Sequence, residues 1–188
     1  TTTSQLPNRS VETERIADPI CEKAIKIEEA KGDTKADASR CAALSTVTVS
    51  EPVRITPEIA AAHGNPLLPT GERLADAAAA RRVYYQTWAQ DMRGIDYINW
   101  YEKHEGLYYF DGAYAWVAPR YGWDAHGYHQ CDLGYGLGYD VQVTNCGTRG
   151  QRTSTVVVTD TFRVHVIYRG IPIFNTYTMS KNLGRNGI

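Results

Sequence analysis

The chain has 188 residues, a formal net charge of −1, and 43% hydrophobic and 22% charged residues. That is room for one ordinary domain with an appendage. The near-neutral balance, with no run of Lys or Arg, excludes a protein that tracks a phosphate backbone, and apolar runs such as 77–80 and 156–158 are far too short to span a bilayer as a helix.

Residues 1–17 are polar and lack the apolar stretch of a signal peptide, as a mature exported chain or a cytosolic one would. Their large aliphatic side chains, Leu6, Val11 and Ile16, are spaced five apart, which matches neither a helix stripe nor a strand face. A flexible N-terminal arm is expected. Asp18-Pro19 reads as an N-cap followed by proline at the first helical position. The helix it opens should stop at Gly32, and Asp33 or Thr34 can cap a second helix reaching about Leu44. This predicts a helical hairpin over 18–44. Residues 45–71 alternate Val47 and Val49 with Thr and Ser, then meet Pro52, Pro57, Pro66 and Pro69. Residues 45–56 fit an edge strand or an extended connector, 57–71 a linker over a surface, and the whole stretch is taken as an extended connector.

From there to the C-terminus, residues 72–188, one α+β interaction domain is predicted. Thr70 can cap a long helix from Glu72 to Met92, with Leu74, Ala77, Ala78, Tyr84, Tyr85, Trp88 and Met92 as its apolar stripe and Gly94 as its stop. Residues 95–106 fit a short helix or a strand. Residues 107–117 form a hairpin around Asp111-Gly112, expected as a type I′ turn. Alternation then puts Tyr108, Phe110 and Trp116 on one face, and Leu107 and Tyr109 on the other. A strand covers 139–144, and a second hairpin turns at Arg169-Gly170. The expected fold is an antiparallel sheet of hairpins packed with one long helix, plus the N-terminal stapled helical hairpin.

Four cysteines are present, none in a C-x-x-C pair. Sequence alone leaves three pairings open. Cys21 and Cys41 sit at similar distances either side of Gly32, and Cys131 and Cys146 bracket a Gly-rich bend and a strand. These positions favour Cys21–Cys41 and Cys131–Cys146. Two such staples imply an oxidising compartment, so a secreted protein is expected.

Chemistry-bearing residues concentrate at His104, Glu105, Asp124, His126 and His129. Zinc on His126 and His129, three apart, with a third ligand from His104 or Glu105 is conceivable, but hydrogen-bonded loop histidines are expected, with Cys131 assigned to a disulfide. G-x-S-x-G is absent, and the glycines of "GYGLGY" precede neither a helix nor a lysine. The expectation is a non-enzymatic protein with no metal, cofactor, nucleic acid or inserted membrane.

The segments "HEGLYYFDGAYAWV", "YGWDAHGYHQCD", "GYGLGYDVQVTNC" and "DTFRVHVIYRGIPIFNTYTM" resemble a pattern of small exported actinobacterial proteins. Over about residues 95–188 the chain most resembles the small bridging subunits of the umbrella toxin particles of Streptomyces. That resemblance implies an adaptor between a stalk-like toxin protein and a lectin-bearing subunit in an antibacterial particle. One contact would lie on the arm, at Leu6, Arg9, Val11, Arg15 and Ile16, and the other on the aromatic domain, at Tyr109 and Trp123. The alternatives are a secreted carbohydrate-binding module, stacking sugars on Trp100, Tyr109, Trp116, Tyr121 and Trp123, and a protease-inhibitor-like protein using residues 8–15.

Overall fold

Alternation of inward and outward side chains organises the chain into two antiparallel sheets in the computed structural model, which describes residues 8–68, 70–117, 129–131 and 139–188. The first sheet contains β1 (Asn8–Ile16), β2 (Ala43–Ser50), β3 (Val53–Arg54), β4 (Tyr84–Gly94), β5 (Tyr101–Phe110), β6 (Ala115–Trp116) and β7 (His129–Gln130). Its order is β1-β2-β4-β5-β6, with β3 on β4 and β7 on β5. The second sheet is a meander of β8 (Tyr139–Arg149), β9 (Thr155–Tyr168) and β10 (Ile171–Gly184).

The inner faces of the sheets pack together. Trp88 of β4 and Tyr108 and Phe110 of β5 meet Val156 and Val158 of β9 and Leu183 of β10. Further along, Met92 and Trp100 meet Phe162, Val164, Tyr177 and Met179. Helix α1 (Pro19–Ala30) closes that end with Ile20 and Ala24. On the outer face of the first sheet, α2 (Pro57–Ala62) and α3 (Leu74–Ala80) cover Tyr109 and Trp116 with Ala60, Leu74 and Ala77.

Among the described residues, 52% are in strands and 18% are helical, so the chain is mostly β and the expected α+β fold is corrected. Among the described residues no long helix packs on the hairpins. The stretch 72–92 instead divides into α3 and β4. Tyr84, Trp88 and Met92 are four apart, a spacing that a helix stripe and a strand face share. The alternation that settles the matter runs through Gln86, Trp88, Gln90 and Met92, all buried. The two inward glutamines hid it.

Three further expectations change. The second helix of the predicted hairpin over 18–44 is only a 3₁₀ turn, Ala38–Arg40, capped by Asp37, and the chain then enters β2. Its continuation, "ALSTVTVS", is rich in β-branched residues and is held between β1 and β4. Residues 8–16, read as part of a flexible arm, form the edge strand β1. Residues 10–15 are exposed and only Ile16 reaches the core, so main-chain pairing with β2 orders this strand without a hydrophobic stripe. The stretch taken as a connector holds most of β2, β3 and α2; the strand that 45–56 also fits is present, but it lies between β1 and β4 and not at an edge.

Both predicted hairpins occur, with a difference in the first. Tyr109 pairs with Trp116 and Phe110 with Ala115 across a four-residue loop. Asp111 Oδ1 accepts from the backbone N–H groups of Ala113 (3.0 Å) and Tyr114 (2.8 Å), and of the four loop residues only Gly112 has positive φ (86°). The turn is therefore not type I′. That geometry appears at the β9–β10 connection, where Arg169 (φ 48°) and Gly170 (φ 80°) both adopt it.

Candidate functional site between the sheets

Where the two sheets face each other, the core is polar. Gln90 projects inward from β4, His104 from β5 and His129 from β7, all buried. Strand β7 is short, but its pairing of Gly106 with His129 brings the second imidazole over the first. Trp88 packs against both rings, with centroids 4.9 Å from His104 and 5.6 Å from His129. Beside them runs the Cys131–Cys146 disulfide, whose Cα atoms are 6.0 Å apart. The other bond, Cys21–Cys41, spans 5.4 Å between Cα atoms and ties α1 to the chain entering β2.

One hydrogen-bonded chain threads the site. Gln90 Nε2 donates to Ser45 Oγ (3.3 Å), which turns the amide oxygen toward His104 Nε2 at 3.0 Å. An amide oxygen only accepts, so Nε2 of His104 carries the proton and Nδ1 presents a lone pair. His129 Nε2 lies 3.1 Å from that Nδ1 and donates to it. His129 Nδ1 then accepts from the hydroxyl of Thr148, 3.4 Å away. Burial, reinforced by the neighbouring His129, pushes His104 down to about 3, so its ring is neutral at physiological pH.

The sulfur atoms adjoin this chain. Cys131 Sγ is 3.5 Å from His129 Nε2, and Cys146 Sγ is 4.0 Å from His129 Nδ1. Nitrogen and sulfur atoms of His104, His129 and Cys131 all lie within 4.8 Å of one another. With the disulfide closed, Cys131 has no thiolate to offer. In this disulfide-closed form both imidazoles are at most 1% exposed, so neither meets a solute from solution.

Of the chemistry-bearing cluster read from the sequence, the structure joins His104 and His129. Glu105 points to the other face of β5, in an ion pair with Lys103. Asp124 and His126 lie outside the described residues. Sequence reasoning missed Gln90, Ser45, Thr148 and Trp88. The available signal was the run of inward polar positions, Gln86 and Gln90 on β4 and Glu102 and His104 on β5.

The proposed contact residues fare unevenly. Tyr109 is corrected: it is 4% exposed, stacks on Trp116, and its hydroxyl lies 2.9 Å from His63 Nδ1. Trp116 therefore shares the face of Tyr109, not that of Tyr108. Ile16 is also corrected, because it packs on the protein's own core. Val11 is exposed, and Arg15 is exposed while donating to the Arg40 carbonyl (3.2 Å). Leu6, Tyr121, Trp123 and the side chain of Arg9 lie outside the described residues. Trp100, Tyr109 and Trp116 are all buried, which removes three of the five rings assigned to sugar stacking. The chain matches no protein-family model, no curated protein and no solved structure.

Proposed function

We propose that this chain is an exported, non-enzymatic adaptor that joins two larger proteins, as its resemblance to the bridging subunits of umbrella toxin particles implies. The observation that carries the reading is β1. It ends the order of the first sheet, nothing among the described residues pairs with its outer edge, and residues 10–15 are exposed. An open strand edge invites pairing by a partner strand, with main-chain hydrogen bonds for affinity and alternating side chains for specificity. Glu12, Glu14 and Arg15 supply charge along it, and Val11 supplies an apolar contact.

A second, separate surface lies on the other sheet, at the end of the β9–β10 hairpin. Ile167 and Phe174 are exposed there, and the Arg163 guanidinium sits 4.1 Å from the centre of the Phe174 ring. Two surfaces on opposite sheets suit a bridge. Export rests on the two disulfides, which persist in oxidising compartments.

The test uses the full chain with a stalk-like toxin protein and a lectin-bearing subunit, each titrated separately. Val11→Glu combined with Arg15→Glu is expected to weaken one partner at least tenfold and spare the other. Ile167→Glu combined with Phe174→Glu is expected to do the reverse. A chain that binds neither protein, or variants that keep both affinities, would overturn the adaptor reading.

A further inference from the structure

We propose that His104, His129, Cys131 and Cys146 form a buried tetrahedral site for a divalent metal of the zinc type once the Cys131–Cys146 disulfide is reduced. The inference goes beyond the adaptor reading and does not depend on it. It starts from distances. Zinc bonds of 2.0–2.1 Å to nitrogen and 2.3 Å to sulfur place tetrahedral donors about 3.4 Å apart for N···N and about 3.6 Å for N···S. His104 Nδ1 and His129 Nε2 are 3.1 Å apart, and His129 Nε2 is 3.5 Å from Cys131 Sγ. Two of the three donor pairs thus already have the spacing that one metal requires, and all three donors lie within 4.8 Å of one another.

The fourth donor needs side-chain rotation only. The Cα atoms of Cys131 and Cys146 are 6.0 Å apart. Opening the sulfur atoms to the about 3.8 Å of two thiolates on one zinc leaves that backbone separation in place. Both cysteines are partly exposed, so a reductant can reach the bond from outside while the imidazoles stay buried.

The surroundings orient the donors as a metal site demands. A ligating histidine usually gives its other ring N–H to an acceptor, which fixes the ring and its tautomer. Gln90 does this for His104 Nε2, and Ser45 holds the amide in turn. Thr148 stands at His129 Nδ1. In the disulfide form, the proton between the two rings occupies the place that a metal would take.

The chemistry balances. A dithiol or phosphine supplies two electrons, and with two protons the S–S bond becomes two thiols while the reductant is oxidised. The metal displaces both thiol protons as it binds. The proton on His129 moves from Nε2 to Nδ1, where it donates to Thr148 Oγ1. Two thiolates, two neutral imidazoles and a dication sum to zero charge, which suits a site between packed sheets. A small-molecule disulfide takes the two electrons back by thiol–disulfide exchange, leaving as two thiols while the S–S bond re-forms and the metal is released, so disulfide and metal are alternative clasps joining β8 to the segment after β7.

Cobalt(II) serves as the probe, titrated anaerobically into the full chain after phosphine reduction. The expected result is one cobalt per chain, with the intense visible bands of tetrahedral coordination, thiolate-to-cobalt charge transfer, and displacement by zinc. The unreduced chain should give no such bands. His129→Gln should lose the tetrahedral spectrum and at least tenfold in affinity; a melting curve of its disulfide form shows that the variant folds. Gln90→Ala should keep the spectrum and bind about 10–100-fold more weakly. Three outcomes would overturn the site: a reduced, folded chain that takes up no cobalt; thiolate bands unchanged in His129→Gln; or a reduced chain that unfolds and is not refolded by zinc.

Discussion

Asp18 ties helix α1 to two segments far away in the sequence. It is fully buried, and its Oδ1 accepts from Ile20 N (3.0 Å), Cys21 N (3.4 Å) and the Tyr177 hydroxyl (2.7 Å), while Oδ2 accepts from the Trp100 indole N–H (3.2 Å). It thereby caps α1 and pins that helix to both sheets. Trp100 reaches it because position 94 is glycine; a Cβ there would lie 2.5 Å from the indole nitrogen. Asp18→Ala leaves several buried donors unmatched and should cost at least about 3 kcal/mol in urea melts. Asp18→Asn keeps one acceptor oxygen and should cost less. Tyr177 gives the pH test. Burial, then the charge of Asp18, pushes its phenol above the ordinary value of 10, so above that pH the unfolded chain releases a proton that the folded chain keeps. Stability from this group is complete below pH 10 and falls as pH rises further, by up to about 1.4 kcal/mol per unit. Tyr177→Phe should flatten the alkaline loss by that slope. It should not abolish it, because burial raises Tyr108 as well.

At the scale of elements, β4 and β5 do two jobs. Their inner faces hold much of the polar site and part of the core, while Tyr109 on the outer face of β5, with Trp116 of the neighbouring β6, receives α2 and α3. The Trp116 ring stacks on Tyr109 with centroids 6.0 Å apart and is 3% exposed. Trp116→Ala should therefore lower stability by about 3–5 kcal/mol. Loosening of α2 and α3 should appear with it, as faster hydrogen exchange over 57–80. An unchanged melting temperature would mean that the two helices contribute little to holding the sheet. Strand β1 is the opposite case: its ladder to β2 is long, but little except Ile16 is buried beneath it.

Across the whole molecule, the two disulfides fasten segments that loops join. Cys21–Cys41 closes a loop of sequence separation 20 that contains the exposed turns between α1 and β2. Replacing both cysteines with serine should cost about 3 kcal/mol at that loop size, measured by denaturant unfolding. What the sequence determined by itself was local. Asp18-Pro19 opens a helix, Arg169-Gly170 turns a hairpin, the alternation over 162–168 marks a strand, and the spacing of the cysteines pointed to both bonds; each depends on neighbours a few residues apart. Tertiary structure decided the rest. Residues 84–94 became a strand because β2 and β5 pair with it on either side, which overrides a helical spacing that fits equally well. Residues 8–16 became a strand because β2 offered an edge. Half of the candidate site, His104 and His129, was legible as residue types; their meeting was not. They are 25 positions apart, and only the pairing of β7 with β5 and the closing of one sheet over the other places two imidazoles and two sulfur atoms together. Such contacts arise from burial shared between distant segments, which no local pattern encodes.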